Sequence, residues 1–370
     1  MIKVLVVDDS IVFRNQIKTS LEVVKDLEVV GTAANGKIAL DKLQQMSVDL
    51  ITLDMEMPEM GGIETIKEIK KRGIKVRIIV FSSQTFQGAQ KALEAIEEGA
   101  DDVVAKPSGD HMSFEQAANA IQTALIPKVL QFTNSRILNL ESSLVNEKSS
   151  NLLESLKNSH VASNKFKSSK IEKRKIGTLD FDAVLIASST GGPPALEKIF
   201  HHFRDLKTPH KPILIVQHMP PIFTTILAKR LKEISNLEVK EAEHGELIKE
   251  STVYVAPGDF HMEIKKKEGQ NYIDLNKNSQ RNSVRPAADF LFETGSSVYK
   301  NRCLGIVLTG MGEDGACGAD AIRDGGGAIV IQNKESCVVF GMPGAVFEAN
   351  CFDEIGDLDF IAQKIFSKLK

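Results

Sequence analysis

The chain has 370 residues, enough for two domains of ordinary size that each bury a hydrophobic core. Hydrophobic residues make up 42% and charged residues 26%, as in a globular protein, and a formal net charge of −3 gives no general electrostatic reason to expect nucleic-acid binding. No apolar run approaches a membrane span in length, and Asp8 and Asp9 interrupt the N-terminal apolar run where a secretory signal would need to continue.

The first segment, up to about Leu125, alternates β-branched runs with helical patterns. The predicted strands are Lys3–Val7, Val29–Ala33, Leu50–Asp54, Arg77–Ser82 and Asp102–Ala105. The predicted helices are Phe13–Val24, Gly36–Gln45, Gly62–Arg72, Gln87–Glu98 and Ser113–Leu125. Strand–helix units of this length predict a parallel sheet with helices on both faces.

Five polar side chains follow predicted strands of this segment. Asp8 and Asp9 follow the first strand, Asp54 ends the third, and Ser82 and Lys106 end or follow two others. Since the carboxyl ends of parallel strands meet at one edge of a sheet, these groups should converge. Carboxylate oxygens suit Mg²⁺, and an aspartate beside the ion can accept a phosphoryl group. One such aspartate alone is more often a turn or cap residue, but the set of five favours a functional site.

The whole segment resembles the receiver domain of response regulators. The matching residues are Val7-Asp8-Asp9-Ser10, Leu53-Asp54-Met55-Glu56-Met57-Pro58, Phe81-Ser82-Ser83 and Ala105-Lys106-Pro107. The resemblance implies that Asp54 is the phosphoacceptor, and that Asp8, Asp9, Asp54 and the backbone carbonyl of Glu56 bind Mg²⁺. It also implies that Ser82 and Lys106 contact the phosphoryl oxygens. The family's usual aromatic switch position, three residues before Lys106, is Val103 here, so coupling through a rotating ring is not predicted.

Between about Ile126 and Ile176 the periodicity is lost, and the stretch from Asn146 to Lys175 is rich in Ser, Asn and Lys. This composition predicts a flexible linker. Its basic residues are Lys165, Lys167, Lys170, Lys173, Arg174 and Lys175. Such a cluster could contact nucleic acid or acidic lipid, but a solvated tether is the favoured interpretation.

The alternation resumes from Gly177 to Lys370. The predicted strands are Ala183–Ala187, Ile213–Gln217, Leu304–Leu308 and Ala328–Ile331, and continuous apolar runs of this kind are typical of parallel strands buried on both faces. All four cysteines lie here: Cys303, Cys317, Cys337 and Cys351. They form no Cys-x-x-Cys pair and are expected to be small buried hydrophobes in a reducing compartment, so we expect a cytoplasmic protein.

The strongest catalytic signal is the run Ile186-Ala187-Ser188-Ser189-Thr190-Gly191-Gly192-Pro193-Pro194, a strand entering a tight turn before a helical pattern. A serine at such a turn projects its hydroxyl, and the backbone N–H groups that follow can face a developing oxyanion. A serine helix cap explains this run equally well. However, His218 and Asp314 also follow apolar strands, and a serine, a histidine and an aspartate at one sheet edge are what a catalytic triad requires. The α/β-hydrolase fold is disfavoured, because the chain order is Ser–His–Asp and Gly-x-Ser-x-Gly is absent.

This segment resembles the catalytic domain of chemotaxis protein-glutamate methylesterases, the CheB family. The resemblance rests on Ser189-Thr190-Gly191-Gly192-Pro193-Pro194, Gln217-His218-Met219-Pro220 and Leu308-Thr309-Gly310-Met311-Gly312-Glu313-Asp314-Gly315-Ala316. Further matches are Tyr254–Met262, Arg285–Phe292 and Val338–Ala345. The resemblance implies that Ser189 is the nucleophile, His218 the general base and Asp314 its orienting partner, with backbone N–H groups of Met311 and Thr190 at the oxyanion. Ser188 stands next to the nucleophile, and Ser189 is chosen because it directly precedes Thr-Gly-Gly.

The predicted fold class is therefore α/β, with two doubly wound parallel-sheet domains joined by a long polar linker. Residues 1–125 form a flavodoxin-like receiver, 126–176 the linker and 177–370 a Rossmann-like three-layer esterase domain. The resemblance implies hydrolysis of receptor glutamyl methyl esters and deamidation of receptor glutamines, with no cofactor for the esterase. The implied partners are methyl-accepting chemoreceptors and a chemotaxis histidine kinase, with the unphosphorylated receiver covering the esterase cleft. Neither nucleic-acid binding nor membrane insertion is expected.

Two alternatives remain open from the sequence. The first is a response regulator without enzymatic activity, whose C-terminal domain binds a partner. The second is an esterase of the same architecture that acts on another methylated protein. A nucleic-acid-binding output domain is disfavoured because no basic recognition helix is visible.

Overall fold

The computed structural model describes residues 1–107, 113–132, 166–170, 172–204 and 211–369. The chain divides into two compact units, Met1–Asn158 and Ser159–Lys370, and each has its own buried core. No helix within the described residues is both long enough and apolar enough to cross a membrane.

The first unit contains a five-stranded parallel sheet in the order β2-β1-β3-β4-β5. Its strands are β1 Ile2–Val7, β2 Leu27–Ala33, β3 Leu50–Asp54, β4 Arg77–Ser82 and β5 Asp102–Ala105. Its helices are α1 Ile11–Glu22, α2 Gly36–Gln45, α3 Gly62–Lys71, α4 Phe86–Glu97 and α5 Phe114–Phe132. The predicted strands, and the helices before α5, agree with these bounds to within two residues, and the predicted parallel sheet is confirmed.

Helix α5 continues beyond the predicted end at Leu125, so residues 126–132 are helical and do not begin a linker. Pro127 lies inside the helix and removes one of its backbone hydrogen bonds. Ile126 and Val129 are buried in the core of the unit and favour continuation of the helix. Lys128 also binds Asp102 on β5 at 2.6 Å. Apolar burial and this ion pair therefore outweigh the loss of one backbone hydrogen bond at the proline.

The second unit contains a seven-stranded parallel sheet in the order β14-β13-β12-β6-β7-β9-β8, and a separate antiparallel pair, β10 and β11. The sheet strands are β6 Ala183–Ser188, β7 Ile213–Gln217, β8 Glu238–Glu241, β9 Thr252–Val255, β12 Cys303–Val307, β13 Ala328–Gln332 and β14 Glu354–Gly356. The antiparallel pair is β10 His261–Lys267 and β11 Gln270–Asn276. The helices are α6 Gly192–His201, α7 Phe223–Ser235, α8 Ala288–Tyr299, α9 Ala316–Asp324, α10 Met342–Glu348 and α11 Leu358–Leu369.

The hairpin β10–β11 and strands β8, β9 and β14 of the seven-stranded sheet were not predicted from the sequence. Strands β8 and β14 are its two edges, and both are short and rich in acidic residues or glycine. The hairpin β10–β11 carries exposed lysines, and its apolar side chains alternate instead of forming a continuous run. Short and partly polar strands give a weak apolar signal, and their pairing depends on the strands beside them.

Residues 166–170 and 172–176, which we call the strap, pack on the second unit although they fall within the predicted linker. The backbone N–H groups of Lys167 and Ser168 donate to the Asp320 carboxylate on α9 at 3.1 and 2.6 Å. Arg174 donates to Gly326 O at 2.6 Å and also contacts Asp353. The remainder of the predicted linker, residues 133–165 and 171, lies outside the described residues.

Candidate functional sites

The acidic pocket of the first unit lies at the carboxyl edge of its sheet, as predicted. Carboxylate oxygens of Asp8, Asp9 and Asp54 all lie within 4.8 Å of one another. The Lys106 Nζ contacts Asp54 Oδ1 at 2.8 Å and Asp8 Oδ2 at 2.9 Å. Asp9, Asp54, Ser82 and Lys106 line a pocket of about 310 Å³, together with Glu56. A cluster of three carboxylates beside one lysine offers the hard oxygen ligands that Mg²⁺ prefers.

Burial shifts the pKa values of the charged groups in this pocket, and the interactions between these groups oppose that shift. Asp54 is 4% exposed, and burial raises its pKa although Lys106 acts in the opposite direction. Burial would lower the pKa of Lys106, but its hydrogen bonds and charge interactions with Asp54 and Asp8 raise it above the usual value. The lysine therefore stays charged and compensates in part for the two buried acids. Val103 is 8% exposed on β5 and pairs with Val80, so no aromatic ring occupies the switch position.

In the second unit, neighbouring strands bring the serine and the histidine to one edge. Ser188 on β6 is paired with Gln217 on β7, so Ser189 and His218 leave the sheet side by side. The His218 N–H donates to Ser188 O at 3.1 Å, and Ser189 N–H donates to Thr309 O beyond β12 at 3.1 Å. The serine thus lies between the histidine strand and the loop that carries Asp314.

The two adjacent serines occupy different environments. Ser188 is fully buried, and its hydroxyl donates to Gln217 Oε1 at 2.7 Å. Ser189 is half-buried at the surface of the turn. Gln217 Nε2 then donates to Ser189 O at 2.9 Å, so the glutamine side chain joins the two serine positions. Only Ser189 presents its side chain where a substrate can reach it.

The tight turn after Ser189 depends on two glycines. Gly191 has a φ of 75°, in the left-handed region that favours glycine. At Gly192, an added Cβ would lie 2.0 Å from Gln217 Oε1. Helix α6 begins at Gly192, whose N–H donates to Ser189 O at 2.7 Å, while Pro193 and Pro194 in its first turn carry no N–H.

His218 and Asp314 are in direct contact, with His218 Nε2 at 2.7 Å from Asp314 Oδ2. Burial would raise the pKa of Asp314, but the hydrogen bond and charge interaction with His218 lower it below the usual value. An ionised carboxylate can only accept, so Nε2 carries the proton and Nδ1 is the ring nitrogen left to act as a base.

A network of polar groups surrounds Asp314. Its Oδ2 also accepts from Ala288 N at 2.6 Å, and its Oδ1 accepts from Asp289 N at 3.1 Å and Asn282 Nδ2 at 3.2 Å. These donors satisfy a carboxylate that is only 2% exposed. The carboxylate is therefore fixed in position before any substrate arrives.

The loop after β12 also contributes a backbone donor. Within the described part of the chain, the Met311 N–H has no hydrogen-bond partner. An added Cβ on the preceding residue, Gly310, would lie 2.8 Å from Ser189 Cβ, so this loop passes close to the serine. Thr190, the other predicted donor, is buried beside Ser189 and its carbonyl accepts from Thr309 Oγ1 at 3.0 Å.

The structure brings the predicted groups together in two clusters, one in each unit. The first contains Asp8, Asp9, Asp54, Glu56, Ser82 and Lys106, and the second contains Ser189, Thr190, His218, Met311 and Asp314. Sequence reasoning assigned no role to Gln217, Asn282 or Asp289. Gln217 directly precedes His218 and could have been noticed as a polar residue ending an apolar strand, whereas Asn282 carries no local signal.

Comparisons with known proteins agree with this division. Family models match the chain as CheB methylesterase over residues 184–365 and as response regulator receiver domain over residues 4–117. A Trichodesmium erythraeum protein described as protein-glutamate methylesterase/protein-glutamine glutaminase is 37% identical over 99% of this chain and 99% of its own. A Thermotoga maritima protein of the same description is 39% identical over 96% and 95%. The crystal structure of the Thermotoga maritima CheB methylesterase catalytic domain is 43% identical, covering 51% of this chain and 98% of its own with a TM-score of 0.49.

Proposed function

Because this chain belongs to the CheB methylesterase family and carries a response regulator receiver domain, we propose that it hydrolyses glutamyl methyl esters on methyl-accepting chemoreceptors. The observation that carries the proposal is the His218–Asp314 pair at the sheet edge where Ser189 follows β6. The domains proposed for these activities are a receiver at 1–125 and an esterase domain at 177–370, with α5 and the strap extending into the segment between them.

The first half of the reaction forms an acyl-enzyme. Ser189 Oγ attacks the ester carbonyl while His218 Nδ1 takes its proton, and Asp314 holds the opposite ring nitrogen. The N–H groups of Met311 and Thr190 stabilise the oxyanion, and removing one such donor typically costs ~10²–10³ in rate. Methanol leaves with the proton that His218 returns.

In the second half, water attacks the glutamyl–Ser189 ester with His218 again as the base. The hydrogen bonds that fix Asp314 keep its carboxylate on Nε2 of His218 through both halves, so Nδ1 takes and returns the proton each time. The products are a receptor glutamate and a free enzyme.

The same site supports deamidation of receptor glutamines as a second reaction. The relatives' description includes protein-glutamine glutaminase. An amide carbonyl can follow the same acyl-enzyme route, with ammonia leaving in place of methanol.

Control of the esterase is assigned to the acidic pocket. Asp54 accepts a phosphoryl group from a chemotaxis histidine kinase, and Ser82 and Lys106 contact its oxygens. Asp8, Asp9 and Asp54, with the Glu56 carbonyl, would hold Mg²⁺, which neutralises charge on the phosphoryl group when bound. The donor set fits this ion, because three carboxylates converge within 4.8 Å. The phosphoryl group changes local charge and hydrogen bonding, and this raises the esterase rate.

The proposal is tested by methanol release from methylated chemoreceptor with Ser189→Ala and Ser188→Ala variants of the whole chain. We expect Ser189→Ala to lower kcat by at least ~10³-fold, because the nucleophile is lost. Ser188→Ala should keep more than about a tenth of the activity, because the Ser188 side chain is buried and its hydroxyl donates to Gln217, while its backbone carbonyl is unaffected.

Near-normal release by Ser189→Ala would overturn the mechanism. A loss confined to Ser188→Ala would move the nucleophile to Ser188. A folded wild-type protein that releases no methanol with or without phosphodonor would instead favour another methylated substrate.

A further inference from the structure

A second buried carboxylate lies directly behind Asp314. Asp289, in the first turn of α8, is 1% exposed and Asp314 is 2% exposed. The proposed reaction gives Asp289 no role. Burying a second acid beside the first is unfavourable unless the groups around it require that acid.

Hydrogen bonds run in both directions between Asp289 and the segment that begins at Asp314. The Asp289 backbone N–H donates to Asp314 Oδ1 at 3.1 Å. In return, Asp289 Oδ1 accepts from Gly315 N at 3.0 Å and Gly318 N at 2.7 Å. Gly315 follows Asp314 directly, so the Asp289 side chain fixes the backbone that carries the catalytic carboxylate.

Asn282 connects the two carboxylates from the opposite side. Its Nδ2 lies 3.1 Å from Asp289 Oδ2 and 3.2 Å from Asp314 Oδ1. Asn282 and Ser283 have φ values of 52° and 61°, which are unfavourable for residues other than glycine. The turn has a positive φ at both of these residues, and it places the Asn282 side-chain amide between the two carboxylates.

The charge of Asp289 is also balanced by the guanidinium of Arg281. Arg281 Nε lies 3.3 Å from Asp289 Oδ2, and the same guanidinium makes two hydrogen bonds to Glu293 at 2.7 and 2.8 Å. Asp289 thus accepts hydrogen bonds from Gly315, Gly318 and Asn282, and Arg281 adds a positive charge beside it.

We propose that Asp289 is a positioning residue for the esterase reaction. Through its contacts with Gly315, Gly318 and Asn282, Asp289 holds Asp314 and its loop in place against His218. This inference rests on the proposed function. It distinguishes Asp289 from a residue needed only for folding, because the groups it binds flank the catalytic acid itself. A displacement of about 1 Å in such a group can cost ~10² in rate.

The test measures methanol release and thermal unfolding for four variants of the whole chain. Asp289→Ala should lower kcat by ~10–100-fold and change KM by less than about threefold, since the effect is on catalysis and not on receptor binding. Asp289→Asn should retain kcat within about fivefold, because its amide oxygen still accepts from Gly315 and Gly318. Asn282→Gly, which suits the positive φ, removes the connecting amide without disturbing the turn and should lower kcat by ~3–10-fold.

The matched control is Asp353→Asn. Asp353 is also buried in the second unit, but it binds Arg174 and Ile329 N away from Ser189. This variant should lose stability and keep kcat. The NMR resonance of the His218 Nε2 proton, which bonds to Asp314, should shift in Asp289→Ala and Asn282→Gly and remain unchanged in Asp353→Asn.

An unchanged kcat and an unchanged His218 resonance in Asn282→Gly and Asp289→Ala would overturn the inference. So would an equal loss of kcat in Asp353→Asn, because general destabilisation would then explain the effect. If Asp289→Ala does not fold, Asn282→Gly decides the question. Ser189→Ala serves as the reference: if it stays active, the proposed function fails, and if it alone is inactive, only the inference about Asp289 fails.

Discussion

At the scale of single residues, two neighbouring acids in the second unit have pKa values that move in opposite directions. Burial and the Asp314 charge raise the pKa of Asp289 to about 7. Asp314 has its pKa lowered, because His218 outweighs its burial. Pairs of acids whose environments separate their pKa values are a common feature of catalytic sites. Here the member that contacts the histidine is the one that remains ionised.

The raised pKa of Asp289 predicts a specific pH dependence of stability. Folding favours its protonated form, so Asp289 does not oppose folding below the unfolded pKa and opposes it increasingly as pH rises to about 7. Asp289→Asn removes this penalty, because the amide carries no charge beside Asp314, Glu293, Arg281 and His218. The free energy of unfolding of Asp289→Asn, relative to wild type, should therefore rise by more than ~1 kcal/mol between pH 5 and pH 8.

Urea unfolding followed by tyrosine fluorescence measures this difference. All three tyrosines, Tyr254, Tyr272 and Tyr299, lie in the second unit and the chain has no tryptophan, so the signal reports that unit alone. A relative stability that is flat or falls with pH would contradict the assignment of the penalty to Asp289.

The candidate catalytic groups were predictable from sequence because each follows an apolar strand. Ser189, His218 and Asp314 follow β6, β7 and β12, and parallel strands bring such positions to one edge. The supporting residues were not predictable in this way. Asn282 acts through side-chain hydrogen bonds to Asp289 and Asp314, and no spacing in the sequence indicates that contact.

At the scale of elements, the strap shows how tertiary contacts can order a polar segment. Arg323 on α9 is 1% exposed, and its guanidinium donates to the strap carbonyls of Ser168 and Glu172 at 3.1 and 3.2 Å. Without the strap these buried donors would lose partners. Composition predicts flexibility here because serine and lysine are common. Composition alone does not indicate that backbone carbonyls of this segment accept hydrogen bonds from a buried arginine.

We expect the strap to stabilise the second unit through Arg174. Arg174→Ala removes the guanidinium bonds to Gly326 and Asp353 and should lower the free energy of unfolding by ~1–3 kcal/mol. Lys170→Ala, at an exposed position of the same segment, should change it by less than ~0.5 kcal/mol. Tyrosine fluorescence during urea unfolding compares the two variants, and equal effects would show that the strap does not act through Arg174.

At the scale of the whole molecule, two parallel sheets each present a polar cluster at a carboxyl edge. The first contains Asp54 and Lys106, and the second contains His218 and Asp314. The alternation of strands and helices predicted both sheets, because buried parallel strands give continuous apolar runs. It did not predict the edges β8 and β14, whose short sequences depend on their neighbours for pairing.

The proposed control of the esterase by phosphorylation is tested at Asp54. Asp54→Asn should abolish the increase in methanol release that a small-molecule phosphodonor and Mg²⁺ produce in the whole chain, because the phosphoacceptor is lost. Asp41→Asn, an exposed acid on α2, should leave the increase intact. Stimulation that persists in Asp54→Asn would place the phosphorylation elsewhere.

The strand order of the larger sheet also has a consequence for synthesis on the ribosome. Strand β6 lies between β7, which follows soon after it, and β12, which is translated much later. One side of β6 therefore stays unpaired in the nascent chain until Val307 has emerged, whereas β1 gains both of its neighbours once Asp54 has emerged. An open strand edge favours aggregation. The first unit can thus complete its fold early in translation, while the second remains vulnerable until most of its chain has been made.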